Sequence, residues 1–222
     1  MTVGKDIRII ETEDGSHSLE LPSLNETYHS KYGAIQESEY VYIKQGFSQF
    51  VNTKGLKILE IGFGTGLNAL LTLREALKRK VAVEYHAVEA YPILPEVYEK
   101  LNYGNYILSA EAFLNLHQIS WDEQKEVSPY FKIKKYHQKV EEINLPHNYF
   151  DLVYFDAFAP SKQAGIWSVE VLEKVRNSMA TEGMFVTYCA QGAFKRNLKT
   201  LGFKLEELQG PPGKMQMIRA VK

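Results

Sequence analysis

Three glycines at alternate positions, in Gly62-Phe63-Gly64-Thr65-Gly66, constrain the fold of this 222-residue chain more than any other feature. They follow a short apolar run at residues 57–61, which is typical of a buried strand, and they precede a helical pattern that begins at Leu67. Glycines let the backbone turn sharply and let a ligand approach it without obstruction by side chains. A strand, a glycine turn and a helix N-terminus together indicate an α/β fold with a ligand site at the turn.

Strand-like and helix-like segments alternate from this point to the end of the chain. We predict further strands at residues 84–89, 131–136, 150–155 and 183–188. We predict helices at residues 67–80, from 95 onward, and at 111–117, 168–179 and 191–201. Two final strand-like runs flank Gly210-Pro211-Pro212-Gly213. This order predicts a mostly parallel, seven-stranded, Rossmann-like sheet with helices on both faces and an antiparallel hairpin at one edge.

The first fifty residues follow a different pattern. Residues 7–12 and 16–21 are strand-like runs around Asp14-Gly15, which is a strong signal for a hairpin. Residues 25–44 are predicted to be helical, because Tyr28, Tyr32 and Ile35 have a spacing that suits one helix face. We therefore expect a hairpin and helical appendage at residues 1–50, followed by the main domain at residues 51–222.

Composition narrows the function classes only modestly. The formal charge of −1 does not indicate a nucleic-acid binder, although phosphate affinity depends on a local basic face rather than on the net charge. Cys189 is the only cysteine, which excludes an internal disulfide and suits a reducing compartment. No apolar run is long enough for a signal-peptide core or a membrane span. A cytoplasmic protein is expected.

Two carboxylates near the glycine loop indicate what kind of ligand it binds. The G-x-G-x-G spacing differs from the G-x-G-x-x-G that takes a pyrophosphate, and Glu60 stands two residues before the first glycine. A carboxylate there favours a ligand with a cationic amino-acid end. Glu89 ends the next predicted strand, where a carboxylate accepts hydrogen bonds from ribose hydroxyls. The alternatives are a tight turn without a ligand and a solvated Glu89.

A second functional segment, Asp156-Ala157-Phe158-Ala159-Pro160, follows the predicted strand at residues 150–155. Functional residues of open α/β sheets gather beyond the carboxyl ends of the strands. Methyl transfer from a sulfonium to an amine is a direct displacement that needs a neutral nucleophile held in line with the leaving sulfur. Asp156 suits proton uptake or orientation of the amine, and Phe158 suits stacking on a base or shielding of the sulfonium. The alternative is a turn with a capping Asp.

Motifs along nearly the whole chain resemble one known family. They are Thr12-Glu13-Asp14-Gly15-Ser16, Asn25-Glu26-Thr27-Tyr28-His29-Ser30, Gly33-Ala34 with Glu37-Ser38, Glu60-Ile61-Gly62-Phe63-Gly64-Thr65-Gly66-Leu67-Asn68, Asp156-Ala157-Phe158-Ala159-Pro160 and Trp167. In this order they resemble the methyltransferase half of the bacterial bifunctional enzyme that completes 5-methylaminomethyl-2-thiouridine at the tRNA wobble position. The glycine motif joined to Asp-Ala-Phe-Ala-Pro is more specific than a glycine loop alone.

The resemblance implies a class I S-adenosylmethionine (SAM)-dependent methyltransferase that N-methylates the aminomethyl group of the wobble uridine. Its implied partner is tRNA. The flavin half of the bifunctional enzyme has no counterpart in these residues, so we expect a stand-alone enzyme beside a separate FAD-dependent oxidase. With the arguments above, the predicted catalytic residue is Asp156. The predicted cofactor residues are Glu60, Gly62, Gly64, Gly66, Asn68, Glu89 and Gln138, and the predicted acceptor-side residues are Glu26, Tyr28, His29, Phe158 and Lys162.

The chain departs from the family pattern at three places. Gln138 stands where the family usually has a Gly-Asp pair that reaches the adenine, and it is the expected substitute. The segment before Trp167 and the tail around Lys214 also differ. Three basic clusters would supply tRNA backbone contacts if they converged at the pocket mouth. They are Lys78, Arg79 and Lys80; Lys132, Lys134, Lys135 and Lys139; and Lys195, Arg196 and Lys199.

Three other functions stay open at this stage. An aminopropyltransferase or a small-amine methyltransferase shares this fold, and an aminopropyltransferase would want more carboxylates around Asp156 to hold a polycationic amine. A nicotinamide oxidoreductase is disfavoured by the glycine spacing. A catalytically silent RNA-binding or partner-binding module of the same fold is disfavoured by the intact glycines, Glu89 and Asp156.

Overall fold

The computed structural model describes residues 6–222, so the first five residues of the predicted appendage lie outside it. Strands β1 (Arg8–Glu11) and β2 (His17–Leu21) form the predicted antiparallel hairpin. Strand β3 (Glu26–Thr27) pairs with β2 and completes a three-stranded sheet. Helix α1 (Ala34–Ser38) follows and continues into a π-helical turn, Glu39–Lys44.

The helix predicted over residues 25–44 is therefore wrong in its first half. Asn25 has a φ of 47°, in the left-handed region, and Gly33 has a φ of 148°, so neither residue fits within a right-handed helix. The helix starts at Ala34 because the Asp14 side chain in the hairpin turn accepts the Gln36 N–H at 2.9 Å. A carboxylate at this position pairs one of the free N–H groups of a helix N-terminus. The segment between Asn25 and Gly33 is consequently not helical and can cross another part of the molecule.

The second sheet contains eight strands. They are β4 (Gly55–Ile61), β5 (Ala82–Glu89), β6 (Gln124–Ser128), β7 (Phe131–His137), β8 (Phe150–Phe155), β9 (Met179–Thr187), β10 (Lys204–Gln209) and β11 (Gln216–Val221). Their order across the sheet is β10-β11-β9-β8-β4-β5-β7-β6. Strands β7, β5, β4, β8 and β9 run parallel, and the outer strands are antiparallel. The predicted class is confirmed, and the described chain adds β6, one strand beyond the predicted seven.

Six further α-helices connect these strands in the described chain. They are α2 (Leu67–Arg79), α3 (Pro95–Tyr98), α4 (Tyr103–Tyr106), α5 (Ala110–Gln118), α6 (Val169–Ser178) and α7 (Gly192–Thr200). The helix predicted from Pro95 onward is only one turn long. The parallel strands end level with one another, since the Gly62 N–H donates to Val88 O and the Asp156 N–H donates to Ile61 O, both at 2.9 Å. The loops after β4, β5, β7 and β8 therefore meet at one edge, on both sides of the point where the strand order reverses.

Two hydrophobic clusters cover the two faces of this sheet. One contains α2, α5 and the appendage residues Leu19, Val41 and Tyr42, and the other contains α6 and α7. The appendage thus shares a core with the rest of the described chain, while the predicted boundary at residue 50 stays a prediction. Within residues 6–222, no helix combines the length and the apolar character needed to cross a bilayer.

Lys135 on β7 is a buried cation that joins β7 to the end of α5 and to the glycine loop. It is completely buried, and its ammonium donates to Leu116 O at 2.8 Å and His117 O at 2.7 Å, in the last turn of α5. Burial lowers the pKa of Lys135 to about 8. The ammonium also lies 5.3 Å from the ring centroid of Phe63 in the glycine loop. This lysine therefore belongs to the core and not to a solvated basic face.

We expect Lys135→Met to lower the free energy of unfolding by about 2 kcal/mol, because two buried carbonyls lose their donor. Lys134→Met is the matched control: Lys134 is its neighbour on β7, partly exposed, and its loss should cost less than about 0.5 kcal/mol. Urea unfolding followed by circular dichroism measures both values. Equal losses in the two variants would contradict the assigned role.

Candidate active site

A large cavity lies at the carboxyl edge of the parallel strands. Its volume is 690 Å³, which is in the range of small-molecule and cofactor sites. The glycine loop, the ends of β5, β7 and β8, the crossing segment 26–30 and the β10–β11 turn form its walls. Eleven predicted site residues line it: Glu26, Tyr28, His29, Gly62, Gly64, Asn68, Glu89, Gln138, Asp156, Phe158 and Lys162. Glu60 and Gly66, the other two, do not line it.

The glycine loop requires glycine for reasons of backbone geometry and close packing. Gly62, Gly64 and Gly66 have φ values of 92°, 49° and 73°, all in the left-handed region. A Cβ at Gly62 would lie 2.4 Å from Asp156 O, and one at Gly64 would lie 3.2 Å from the Tyr28 ring. Gly66 turns away from the cavity against His117, whose Nε2 would lie 2.9 Å from an added Cβ. Two of the glycines thus bring the loop against the cavity walls, and the third fixes the start of α2.

A hydrogen-bond network joins the glycine side of the cavity to Asp156. Asn68, in the first turn of α2, donates from Nδ2 to Asp156 Oδ2 at 2.8 Å and to Glu60 Oε1 at 3.0 Å. The Tyr42 hydroxyl donates to Asp156 Oδ1 at 2.6 Å. Both oxygens of Asp156 therefore have a fixed donor, and Glu60 contacts the site only through Asn68. The Asn68 Oδ1 atom is buried and has no hydrogen-bond partner within residues 6–222.

Burial controls the charges of these carboxyl groups. It raises the pKa of Asp156 to about 6, although the hydrogen bonds from Tyr42 and Asn68 act in the opposite direction. The pKa of Glu60 lies well above its usual range because the side chain is completely buried and faces the Asp156 charge. Asp156 is thus ionised at neutral pH but remains a competent proton acceptor, which is the property of a general base.

Glu89 and Gln138 lie side by side at the ends of β5 and β7. Glu89 accepts the Gly64 N–H at 2.9 Å and the Tyr91 N–H at 2.8 Å, and burial raises its pKa. These two bonds orient the carboxylate and leave acceptor capacity for a ligand in the cavity. Gln138 is exposed at the rim, and its N–H donates to Glu89 O at 3.1 Å.

A second wall of the cavity carries aromatic groups from the appendage and from the loop after β8. The rings of Tyr28 and Phe158 meet edge to face, with centroids 4.9 Å apart. Lys162 donates to Leu24 O at 2.7 Å and thereby ties the loop after β8 to the appendage. His29 is buried, and burial lowers its pKa to about 4, so this imidazole is neutral at pH 7. The crossing segment therefore gives the cavity an aromatic ring and a neutral imidazole, with the Glu26 carboxylate at its start.

The sequence-based site prediction missed several cavity-side residues, among them four with ionisable side chains. Tyr42 binds Asp156, while Glu37, Tyr188 and Lys214 line the cavity beside it. The helical pattern over residues 25–44 concealed Tyr42 and Glu37, because the break at Gly33 changes which helix face points inward. Tyr188 and Lys214 reach the site only through the pairing of β11 with β9, which no local motif announces.

The basic clusters contribute one residue to the lining of this cavity. Lys78, Arg79 and Lys80 lie at the far end of α2, roughly 18 Å from the glycine loop at 1.5 Å per residue. In the second cluster Lys135 is buried and Lys139 lines the cavity. Lys195, Arg196 and Lys199 of the third cluster are not among the lining residues.

Comparisons with known proteins agree with this geometry. The family model described as S-adenosyl-L-methionine-dependent methyltransferase matches residues 101–222, more than half of the chain. Among solved structures, MnmC2 from Aquifex aeolicus has a TM-score of 0.75 and 26% sequence identity, and the match covers 98% of this chain and 72% of that one. A methyltransferase from Mesorhizobium loti, at 12% identity and a TM-score of 0.51, shares the fold; that match covers 83% of this chain and 98% of the other.

Two curated relatives are tRNA 5-methylaminomethyl-2-thiouridine biosynthesis bifunctional proteins named MnmC. The one from Burkholderia multivorans is 27% identical, over 93% of this chain and 33% of its own length. The one from Pseudoalteromonas atlantica is 26% identical, over 90% of this chain and 31% of its own. The chain thus spans about a third of the length of these relatives. Because the family model matches more than half of the chain and the cavity lies beside the glycine loop, this chain belongs to the S-adenosyl-L-methionine-dependent methyltransferase family, with SAM as its cofactor.

Proposed function

We propose that the protein transfers a methyl group from SAM to the aminomethyl nitrogen of a 5-aminomethyl-2-thiouridine at the wobble position of tRNA. The observation that carries this proposal is the position of Asp156 inside one cavity. A carboxylate of raised pKa lies in a cavity that the glycine loop and the Tyr28–Phe158 pair both line. A methyl donor and a planar base that carries an amine would thus have adjoining places beside this carboxylate.

The residues on the glycine side fit SAM. The Asn68 Oδ1 atom is a buried acceptor that has no partner in the described part of the chain, and it suits the ammonium of the amino-acid end. Glu89 suits the ribose hydroxyls, and Gln138 at the rim suits the adenine. Gly62 and Gly64 would let the backbone approach the ligand, while Glu60 and Gly66 would act indirectly, through Asn68 and the start of α2. When bound, SAM supplies an electrophilic methyl group on a sulfonium.

Asp156 carries the chemistry on the acceptor side. The amine nitrogen must be neutral when its lone pair attacks the methyl carbon, and it must lose a proton in the course of the reaction. The Asp156 carboxylate would orient the amine and accept that proton. Tyr42 and Asn68 occupy one position on each of its oxygens and so limit the direction from which the amine approaches. The Tyr28–Phe158 pair would exclude water from the nucleophile.

The acceptor-side residues suit a base extruded from a single-stranded loop. RNA recognition of this kind stacks an unstacked base on aromatic side chains, as Tyr28 and Phe158 would allow. Glu26, His29 and Lys162 would complete the wall around the base. The names of the curated relatives support a tRNA acceptor. Because those relatives are named bifunctional, a separate FAD-dependent oxidase that prepares the substrate is part of the proposal.

A small-amine methyltransferase or aminopropyltransferase is the second candidate. Here the structure adds an observation, since Glu26 and Glu37 line the cavity with Asp156 although neither is adjacent to it in sequence. A carboxylate-lined cavity favours a polycationic amine. The aromatic pair and the names of the relatives favour the base, so this candidate ranks second.

The decisive experiment offers SAM with a labelled methyl to tRNA that contains the aminomethyl uridine and to matched tRNA that lacks it. We expect label only in the first tRNA, recovered as the methylaminomethyl nucleoside. Asp156→Asn should lower the rate about a hundredfold with SAM binding retained, because the base is lost while its size is kept. Label on spermidine or another free polyamine, with none on tRNA, would move the assignment to the second candidate.

Gly62→Ala tests the cofactor half of the site. The added Cβ would meet Asp156 O at 2.4 Å in a left-handed backbone conformation, so the loop must shift. We expect SAM affinity to fall roughly tenfold or more, equivalent to 1–2 kcal/mol of strain. Gly55→Ala, at the start of β4, is the control, because its added Cβ has a nearest neighbour at 3.6 Å. Isothermal titration calorimetry with S-adenosylhomocysteine measures both, and equal affinities would refute the assignment.

The pH dependence follows from the pKa of about 6 for Asp156. A general base is active only when deprotonated, so kcat/KM should fall as the pH drops through about 6 and level off above it. The wild-type profile from pH 5 to 8 checks this limb. A profile that is flat down to pH 5 would remove Asp156 from the proton transfer.

A further inference from the structure

The acceptor end of the cavity contains a half-buried ion pair that the reaction described above does not use. Lys214, in the β10–β11 turn, donates to Glu37 Oε1 on α1. The Glu37 side chain is 7% exposed and that of Lys214 is 31% exposed, and Glu37 Oε2 accepts the Ser30 N–H at 2.7 Å. Both residues line the cavity. Burying the Glu37 carboxylate costs desolvation energy, and an ion pair of this kind is weak evidence for stability, so its position in a binding cavity calls for another role.

The pair is connected to Asp156 by close packing. The Lys214 ammonium lies 4.0 Å from the ring centroid of Tyr188, which follows β9. The Tyr188 hydroxyl donates to Ala157 O at 2.8 Å, directly after Asp156 in the chain. Gly213 packs against the Tyr32 ring, so the turn that carries Lys214 contacts the appendage. The turn cannot move towards the appendage unless Tyr32 also moves. The ammonium is therefore held at a fixed place in the cavity that Asp156 also lines.

Asp156 is surrounded mainly by acidic or neutral groups. Glu60 on β4 lies behind Asn68, Tyr42 approaches from the π-helical turn, Tyr188 lies at the end of β9, and Glu89 and Glu26 line the same cavity from β5 and β3. Glu37 favours the protonated form of Asp156, and Lys214 favours the ionised form. The other cavity cations are engaged elsewhere, because Lys162 donates to Leu24 O and Lys139 pairs with Glu142.

We propose that the Glu37–Lys214 pair tunes the protonation state of Asp156: Lys214 adds to the hydrogen bonds from Tyr42 and Asn68 in favouring the ionised carboxylate, and Glu37 opposes them. The two are positioning residues that act on Asp156 through space. This inference rests on the proposed role of Asp156 as the base. It assigns a function to Lys214 in the tail segment, where the chain departs from the family pattern.

The test reads Asp156 directly, by NMR titration of the protein labelled with 13C at the Asp side-chain carboxyl carbons. Asp156→Asn identifies the signal, and the readout needs no methyl acceptor. Lys214→Gln should move the midpoint up by about one pH unit, because it removes a cation and leaves Glu37 unpaired. Glu37→Gln should move it down, because only the cation remains. The double variant should lie between the two single variants, and Lys214→Arg should match the wild type.

Shifts of opposite sign in the two single variants establish an electrostatic role, which a purely structural contact would not produce. Midpoints that stay at the wild-type value, or that move in the same direction in both, overturn the proposal. Melting temperatures confirm that the variants fold. If Lys214→Gln does not fold, Glu37→Gln and the charge-conserving Lys214→Arg still test the proposal. A failure of methyl transfer to tRNA leaves this titration interpretable, so the two proposals fail separately.

Discussion

The structure depends on a carboxylate that must stay charged inside a cavity. Two hydrogen bonds offset the desolvation cost of the Asp156 carboxylate. They come from Asn68 in the first turn of α2 and from Tyr42 in the appendage. These two donors come from segments that flank the sheet edge, so the carboxylate can be held only when the appendage packs on the main sheet. The shared hydrophobic cluster, the Lys162 contact to Leu24 and the seating of the β10–β11 turn on Tyr32 all serve that packing.

In the function proposed above, the same edge of the sheet separates a cofactor side from an acceptor side. Parallel strands end level, so the loop after β4, Glu89 after β5 and Gln138 after β7 gather on the cofactor side. The loop after β8 and the crossing segment 26–30 form the acceptor side, with Tyr28 meeting both Phe158 and the glycine loop. Asp156 stands at the junction because β8 is the neighbour of β4. Direct methyl transfer needs this arrangement, in which the donor carbon and the acceptor nitrogen share one water-poor space.

Local sequence signals predicted the parts of the fold in which neighbouring residues decide the conformation. The glycine loop, the Asp14-Gly15 hairpin and the ends of α2 follow from backbone preferences and periodicity, and they agree with the structure. Residues 25–33 defeated that reasoning, because the cap from Asp14 and the pairing of β3 with β2 override a helical spacing of tyrosines. Glu60 was expected at the ligand, yet a strand side chain one residue from the turn points into the core, and Asn68 stands in between. Tyr42, Tyr188 and Lys214 depend on tertiary packing, which one sequence without homologues does not reveal.

The most direct test of the two-sided cavity is a crystal structure with sinefungin, a SAM analogue that carries a primary amine where the transferable methyl would be. We expect its ribose on Glu89, its amino-acid end beside Asn68, and its amine directed towards Asp156 between the glycine loop and the Tyr28–Phe158 pair. An analogue bound with that amine turned away from Asp156, or bound outside this cavity, would contradict the assignment of the donor and acceptor sides.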